Sequence, residues 1–219
     1  MLPDVSDFQR ARSPEQVEAR REEILDVAEQ LLTESSVGEI SMRELARRVG
    51  LSASNVARYF PTREAVYLEV LDRARGAWLD SLALDGDLPE VAATLASSLA
   101  ARPVLCELIS VLANVLERNV STEIAREYKL RSAKHNARTA DLLRTALPDL
   151  TPETAQELSA AIFVFTAGMW PLAHPNEAVQ EAIKDPRLSG SRIDFEDRLT
   201  RLIVVLTLGY QAASPRTGR

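Results

Sequence analysis

The residues best equipped for chemistry lie between positions 41 and 64, in the stretch SMRELARRVGLSASNVARYFPTRE. Their chemistry is recognition rather than catalysis. Arg43, Arg47, Arg48, Arg58 and Arg63 stand against Glu44 and Glu64, a local net charge of +3 in a chain that carries −6 overall. Ser52, Ala53, Ser54 and Asn55 form a run of small residues that lets a backbone come close to a partner. Ser54 and Asn55 can hydrogen-bond base edges of duplex DNA, and Arg58 can reach a guanine edge or a phosphate.

Two short helices and a tight turn must hold these groups. Ser41-Met42-Arg43-Glu44 predicts a capping box, in which the Ser hydroxyl and the Glu carboxylate satisfy backbone donors reciprocally. Met42, Leu45, Ala46 and Val49 fall on one helical face. Gly50 supplies the left-handed position that ends a helix at little cost. Ser52 can cap a second helix with Val56 and Phe60 turned inward, and Pro61 stops it. Helix, glycine turn and a second helix with a small polar N-terminal face is the helix-turn-helix arrangement, whose second helix enters the major groove. A helical hairpin inside a core, its arginines merely solvated, would give the same spacing.

The flanking residues narrow the choice. Ile24-Leu25, Ala28 and Leu31-Leu32 in a preceding helix, then Ser41 to Gly50, Leu51-Ser52 and the closing Tyr59-Phe60-Pro61-Thr62-Arg63-Glu64-Ala65, come in a definite order. That ordered set resembles the DNA-binding domain of the TetR-type (tetracycline-repressor-like) transcriptional regulators over roughly residues 20–71. The resemblance implies that Tyr59 and Arg63 contact phosphate, with Ser41 and Thr62 assisting through caps and helix N-termini. Arg43, Ser52, Ala53, Ser54, Asn55 and Arg58 complete the implied DNA-binding set. Ala57 stands where the family often has tyrosine, and Arg63 where lysine is usual.

The whole-chain numbers bound this reading. With 219 residues, 46% hydrophobic, the chain can bury a substantial core. A pI near 5.1 excludes a bulk polycation, so DNA binding must come from a local patch that salt weakens strongly. Cys106 is the one cysteine and has no intrachain disulfide partner, which fits a reducing cytoplasm. The first residues, MLPDVSDFQRARSPEQ, do not read as a signal peptide, and no stretch approaches a membrane span, so a cytoplasmic protein with no membrane partner is expected.

The expected fold is all-α: an N-terminal helix-turn-helix domain of three helices, then a C-terminal helical bundle. Residues 1–12, with Arg10 and Arg12, read as a mobile arm. Residues 13–61 are the helix-turn-helix domain, opened by Ser13-Pro14-Glu15-Gln16; 62–84 a connecting helix; 85–213 an effector-binding and dimerisation domain; 214–219 a tail. Helices are predicted over about 13–33, 62–82, 89–101, 103–118, 122–147, 152–172, 177–184 and 192–212, many punctuated by proline.

Bundles place ligands between facing helices. Candidate effector contacts are Cys106, Asn114, Tyr128, His135, Phe165, Met169 and Trp170, against the plainer reading that such a stripe is core. Leu158, Ile162, Leu199, Leu202, Ile203 and Leu206 follow helical spacing on the two long C-terminal helices. Apolar residues nearly encircle the last helix around 202–208, which suits burial on two sides, by its own core and by a second subunit; a central helix in a monomer would read alike. The resemblance implies that these two helices pair into a four-helix dimer contact.

Enzymatic readings fare poorly. His135, His174 and Cys106 lack metal-ligand spacing, Ser110 and Ser121 lack nucleophile-elbow glycines, and Glu107 and Glu117 lie on different sides of one helix. No metal and no cofactor are expected, beyond an unidentified small-molecule effector. The reading is a homodimeric, ligand-responsive repressor of a double-stranded DNA operator. Its rival is a helical small-molecule carrier or interaction module with a vestigial helix-turn-helix.

Overall fold

Most helices begin on a side chain able to cap them. In the computed structural model, which describes residues 13–213 apart from the side chain of Ser189, Ser13 and Gln16 form a capping box ahead of α1 (Pro14–Glu34). The arm at 1–12 and the tail at 214–219 lie outside the described residues. Ser41 caps α2 (Met42–Val49), Ser52 caps α3 (Ala53–Val56) and Thr62 caps α4 (Arg63–Ser81). Asp87, with Glu90, caps α5 (Leu88–Ala100). Helix α6 (Pro103–Val111) starts on proline without a side-chain cap and runs into a π-helical turn over Leu112–Leu116. Ser121, Thr151 and Asn176 then cap α7 (Thr122–Ala146), α8 (Pro152–Ala173) and α9 (Glu177–Ala182). A 3₁₀ turn (Pro186–Ser191) leads to α10 (Phe195–Ala213). No strand occurs among the described residues: the fold is all-α.

Two local expectations are corrected. The capping box at Ser41 is half formed: Ser41 Oγ accepts the Glu44 N–H at 3.2 Å, but the Glu44 carboxylate turns to Arg47, taking Nε at 2.9 Å and Nη2 at 2.7 Å. A charge-assisted, two-pronged bond outcompetes a single neutral donor. The helix predicted over 103–118 gives up α-geometry after Val111, where the π turn adds a residue to the winding.

Helices α1, α2 and α3 enclose a small core built on Ile24, Leu25, Ala28, Leu31, Leu45, Ala46, Val56 and Phe60. Helix α4 joins it to the rest. It packs against α1, and also against α6 and α7. In the larger bundle α8 meets α6, α7 and α10, and α10 lies along α5. Among the described residues no single helix is long and apolar enough to cross a membrane.

Gly50 sits at φ 76° and ψ 27°, and the Leu51 N–H closes the helix end on the Ala46 carbonyl at 2.9 Å. The space around its missing Cβ is open, so Gly50→Ala meets no clash and carries only the conformational penalty. That penalty is about 1–2 kcal/mol. Urea denaturation should read a loss of this size, and an unchanged midpoint would show that the turn relaxes out of the left-handed region.

Candidate nucleic-acid interface

The surface turned out by α2 and α3 follows from their inward residues. Val56 and Phe60 are buried, which leaves Ser54, Asn55 and Arg58 exposed and Ala53 half-buried. Ser52 Oγ accepts the Asn55 N–H at 3.2 Å and lies 3.0 Å from Ser54 Oγ. Regular helix ends at Val56, earlier than the reach to Phe60 suggested by sequence. From there Arg58 N–H bonds Asn55 at 3.3 Å and Tyr59 N–H bonds Val56 at 2.9 Å, a tightened 3₁₀-like winding. Phe60 must reach the core immediately before Pro61, and the tighter turn brings it there.

Charge is distributed unevenly over the arginines. Arg47 is tied to Glu44 and Arg48 to Glu34, whereas the side chains of Arg43 and Arg58 are exposed and make no ion pair or hydrogen bond among the described residues. Arg63, implied as a phosphate contact, is also held by the protein. Its Nε pairs with Glu64 at 2.9 Å, and its Nη1 donates to the Ile40 carbonyl at 2.8 Å. Glu64 is only 5% exposed, and a buried carboxylate requires such a partner. Arg63 thus clips the loop after α1 onto the start of α4. Thr62 accepts the Ala65 N–H at 3.1 Å, and with Ser41 and Ser52 it places a capped helix start at each end of the module.

Sequence reasoning missed Arg21. Its Nη1 donates to the Tyr59 carbonyl at 2.9 Å and its guanidinium lies 4.3 Å from the centre of the Phe60 ring. The signal was available, because Arg21 stands three and four residues ahead of Ile24 and Leu25 and shares their inward stripe. From Arg21 a series of charges leads away from the module. Arg21 Nη2 is 3.7 Å from Glu69, Arg131 Nη2 donates to Glu69 at 3.0 Å, and Asp72 pairs with Arg131 Nε at 3.1 Å and His135 Nε2 at 2.9 Å. Helices α1, α4 and α7 are therefore linked ionically next to the Tyr59 turn.

Within the bundle a narrow cavity lies between α4 and α8, walled by Arg75, Trp78, Thr139, Ser159, Phe163 and Thr166 among others. None of the seven effector candidates lines it. Cys106 is buried, its thiol pushed up to about 12 by burial and donating to the Leu99 carbonyl at 3.3 Å. Asn114 is exposed on the π turn. Tyr128 is buried, its hydroxyl pushed up to about 12 by burial, and His135 bonds Asp72 at the flank of α4. Phe165 is half-buried; Met169 is buried; Trp170 stacks on His174 with ring centres 3.8 Å apart and meets Phe195 edge-on at 5.1 Å. Helical periodicity marks the inward face of each helix, but the gap left unfilled depends on how helices cross.

The six dimer candidates divide. Leu158, Ile162, Leu199 and Ile203 are buried inside the single chain, so they cannot offer a face to a partner; Leu202 and Leu206 are half-buried. The exposed large apolar residues of these helices are Val164 and Leu172 on α8 and Val205 and Leu208 on α10. The apolar girdle around 202–208 thus has an inner side filled by the protomer's own core and an outer side left open.

Residues 24–70 match the family described as bacterial regulatory proteins, tetR family, and residues 64–214 match the tetracyclin repressor-like C-terminal domain. The fold is similar to a possible TetR family transcriptional regulator from Streptomyces coelicolor (21% identity, 89% of this chain and 100% of that one, TM-score 0.60). A TetR transcriptional regulator from Rhodococcus sp. RHA1 is similar too (16% identity, 90% of this chain and 97% of that one, TM-score 0.58). So is the TetR family repressor AlkX from a Dietzia species, which is implicated in n-alkane biodegradation (19% identity, 88% and 95% coverage, TM-score 0.52). No curated protein sequence matches the chain.

Proposed function

Because the chain belongs to the tetracycline-repressor-like family of DNA-binding transcriptional regulators, we propose that it is a ligand-responsive repressor that grips its operator as a homodimer in the cytoplasm. One observation carries the reading: the side chains of Arg43 and Arg58 stand exposed and, among the described residues, unpaired, in the same helix-turn-helix module as the exposed Ser54 and Asn55, where the other arginines are held by acids or carbonyls. Unpaired cations beside a small-residue helix start are what a duplex groove requires. In this reading residues 13–61 form the DNA reader, α4 the connector and residues 85–213 the ligand and dimer unit.

Repression and release then become a linkage between two sites. Helix α4 contributes Arg75 and Trp78 to the cavity and starts at Arg63, behind the Thr62 cap that follows the Tyr59 turn. The ionic series from Asp72 through Arg131 and Glu69 to Arg21 braces that turn against α7. A ligand that favours a shifted α4 by about 1–3 kcal/mol would lower operator affinity 5- to 150-fold.

The test is titration of an operator duplex, recovered by selection from random DNA, with the intact protein and with Arg58→Ala. A lost base or phosphate contact should weaken binding by about 1–3 kcal/mol. The logarithm of the intact protein's binding constant should fall steeply and linearly with that of salt concentration. Equal affinity for the variant, together with a flat salt response, would remove the DNA-binding assignment.

A further inference from the structure

The cavity between α4 and α8 has a particular chemistry. Arg75 is 3% exposed, yet among the described residues no carboxylate bonds its guanidinium. Nη1 donates to Ser132 Oγ at 3.2 Å and Nη2 to Asn136 Oδ1 at 2.6 Å, both neutral acceptors on α7. Asp72, the nearby acid, is engaged by Arg131 and His135. Arg75 Nε has no hydrogen-bond partner among the described residues, and its guanidinium carbon sits 4.7 Å from the centre of the Phe163 ring. Burial lowers the Arg75 pKa to about 10, so the group still carries its charge at neutral pH. On the same wall the Thr166 hydroxyl, 1% exposed, also lacks a hydrogen-bond partner among the described residues. Trp78 is already satisfied by Ser98 at 3.0 Å, Thr139 by the His135 carbonyl and Ser159 by the Asn136 carbonyl. The remaining wall is apolar: Leu99, Ile109, Ile162 and Phe163.

Asp72 acts on Arg75 only through space, and a buried cation hydrogen-bonded only by neutral groups is costly, which is why natural cores usually set a carboxylate in contact with one. We propose that this cavity binds a small organic carboxylate with an apolar body, its carboxylate on Arg75 and Thr166 and its body against Trp78, Phe163 and the aliphatic wall. The inference rests on the ligand-responsive reading above and deepens it by naming the effector's chemical class. A phosphate dianion fits less well, since the wall offers one cation against a largely apolar lining. The space as it stands has room for about one water molecule, so any such acid must push α4 and α8 apart. Capturing Arg75 also draws it from Ser132 and Asn136, loosening α4 from α7.

The experiment titrates the full-length protein with hexanoate, octanoate, benzoate and phenylacetate, each beside its uncharged amide, following calorimetry and the fluorescence of Trp78 in a Trp170→Phe background. At least one acid should bind about 100-fold more tightly than its amide, and Arg75→Met should abolish that preference, the size expected for a buried charge-assisted pair. Thr166→Val should weaken the acid several-fold. Arg75→Met should melt no lower than the parent without ligand, whereas an arginine with a purely structural role would lower the melting point. Equal binding of acid and amide, unchanged affinity in Arg75→Met, or no binding by any of the four acids would overturn the proposal. Operator titration with the bound acid separates the two readings. An acid that binds through Arg75 without changing DNA affinity leaves the site standing and removes ligand-responsive repression. DNA release by an uncharged compound, with no acid bound, does the reverse.

Discussion

Placing two carboxylates on the outer face of α10, Val205→Glu with Leu208→Glu, should split the proposed homodimer into monomers and lower operator affinity by about 10²- to 10⁴-fold, the avidity that linked half-site binding supplies. Both positions are open in the single chain, 59% and 53% exposed, so the substitutions leave the protomer core intact. They lie three apart and share a face. On α8, Val164, Gly168 and Leu172 make a parallel row at four-residue spacing, all exposed. Gly168 on that row and Gly209 on α10 both face open space where a Cβ would stand, which leaves room for a neighbouring helix to approach closely. Because a two-fold contact presents the same patch twice, four carboxylates would meet in one apolar interface. Light scattering coupled to gel filtration reads the assembly, and titration of the operator reads the affinity. A variant that stays dimeric would move the interface elsewhere.

The second large effect is on stability. Phe60→Ala should cost about 3–5 kcal/mol, the range for removing a buried aromatic side chain. In a chain of this length that lowers the melting temperature by on the order of 10 °C. Phe60 is 2% exposed in the small core of α1 to α3 and also carries the Arg21 guanidinium on its ring. Its loss therefore leaves a void and frees the cation that holds the Tyr59 carbonyl. Operator binding should fall with it, since Arg58 rides on the same turn. Phe60→Leu, which keeps most of the volume, should retain both. Calorimetry on the two variants checks this, and a Phe60→Ala protein melting within a degree or two of the parent would show that the turn is not anchored there.

Much of this architecture is local, and local physics is legible in a linear chain. Capping side chains, the glycine after Val49, the proline after Phe60 and the 3.6-residue stripe of α1 act within a turn or two of where they are written. Helix starts, the left-handed Gly50 and the inward Val56 and Phe60 could therefore be read directly. The ordered run from Ile24 to Ala65 identified the module itself. What needed the third dimension is contact between residues far apart in sequence. Arg63 reaches carbonyls on the loop before α2, Arg21 reaches Tyr59, and the cavity forms where α4 and α8 fail to close around Arg75. Apolar spacing on α8 and α10 showed two helices with much to bury. Only their crossing decided that Leu158, Ile162, Leu199 and Ile203 face inward while Val164, Leu172, Val205 and Leu208 face out. A helix's period is set by its own backbone, whereas the side that becomes core is set by which neighbour it meets and at what angle.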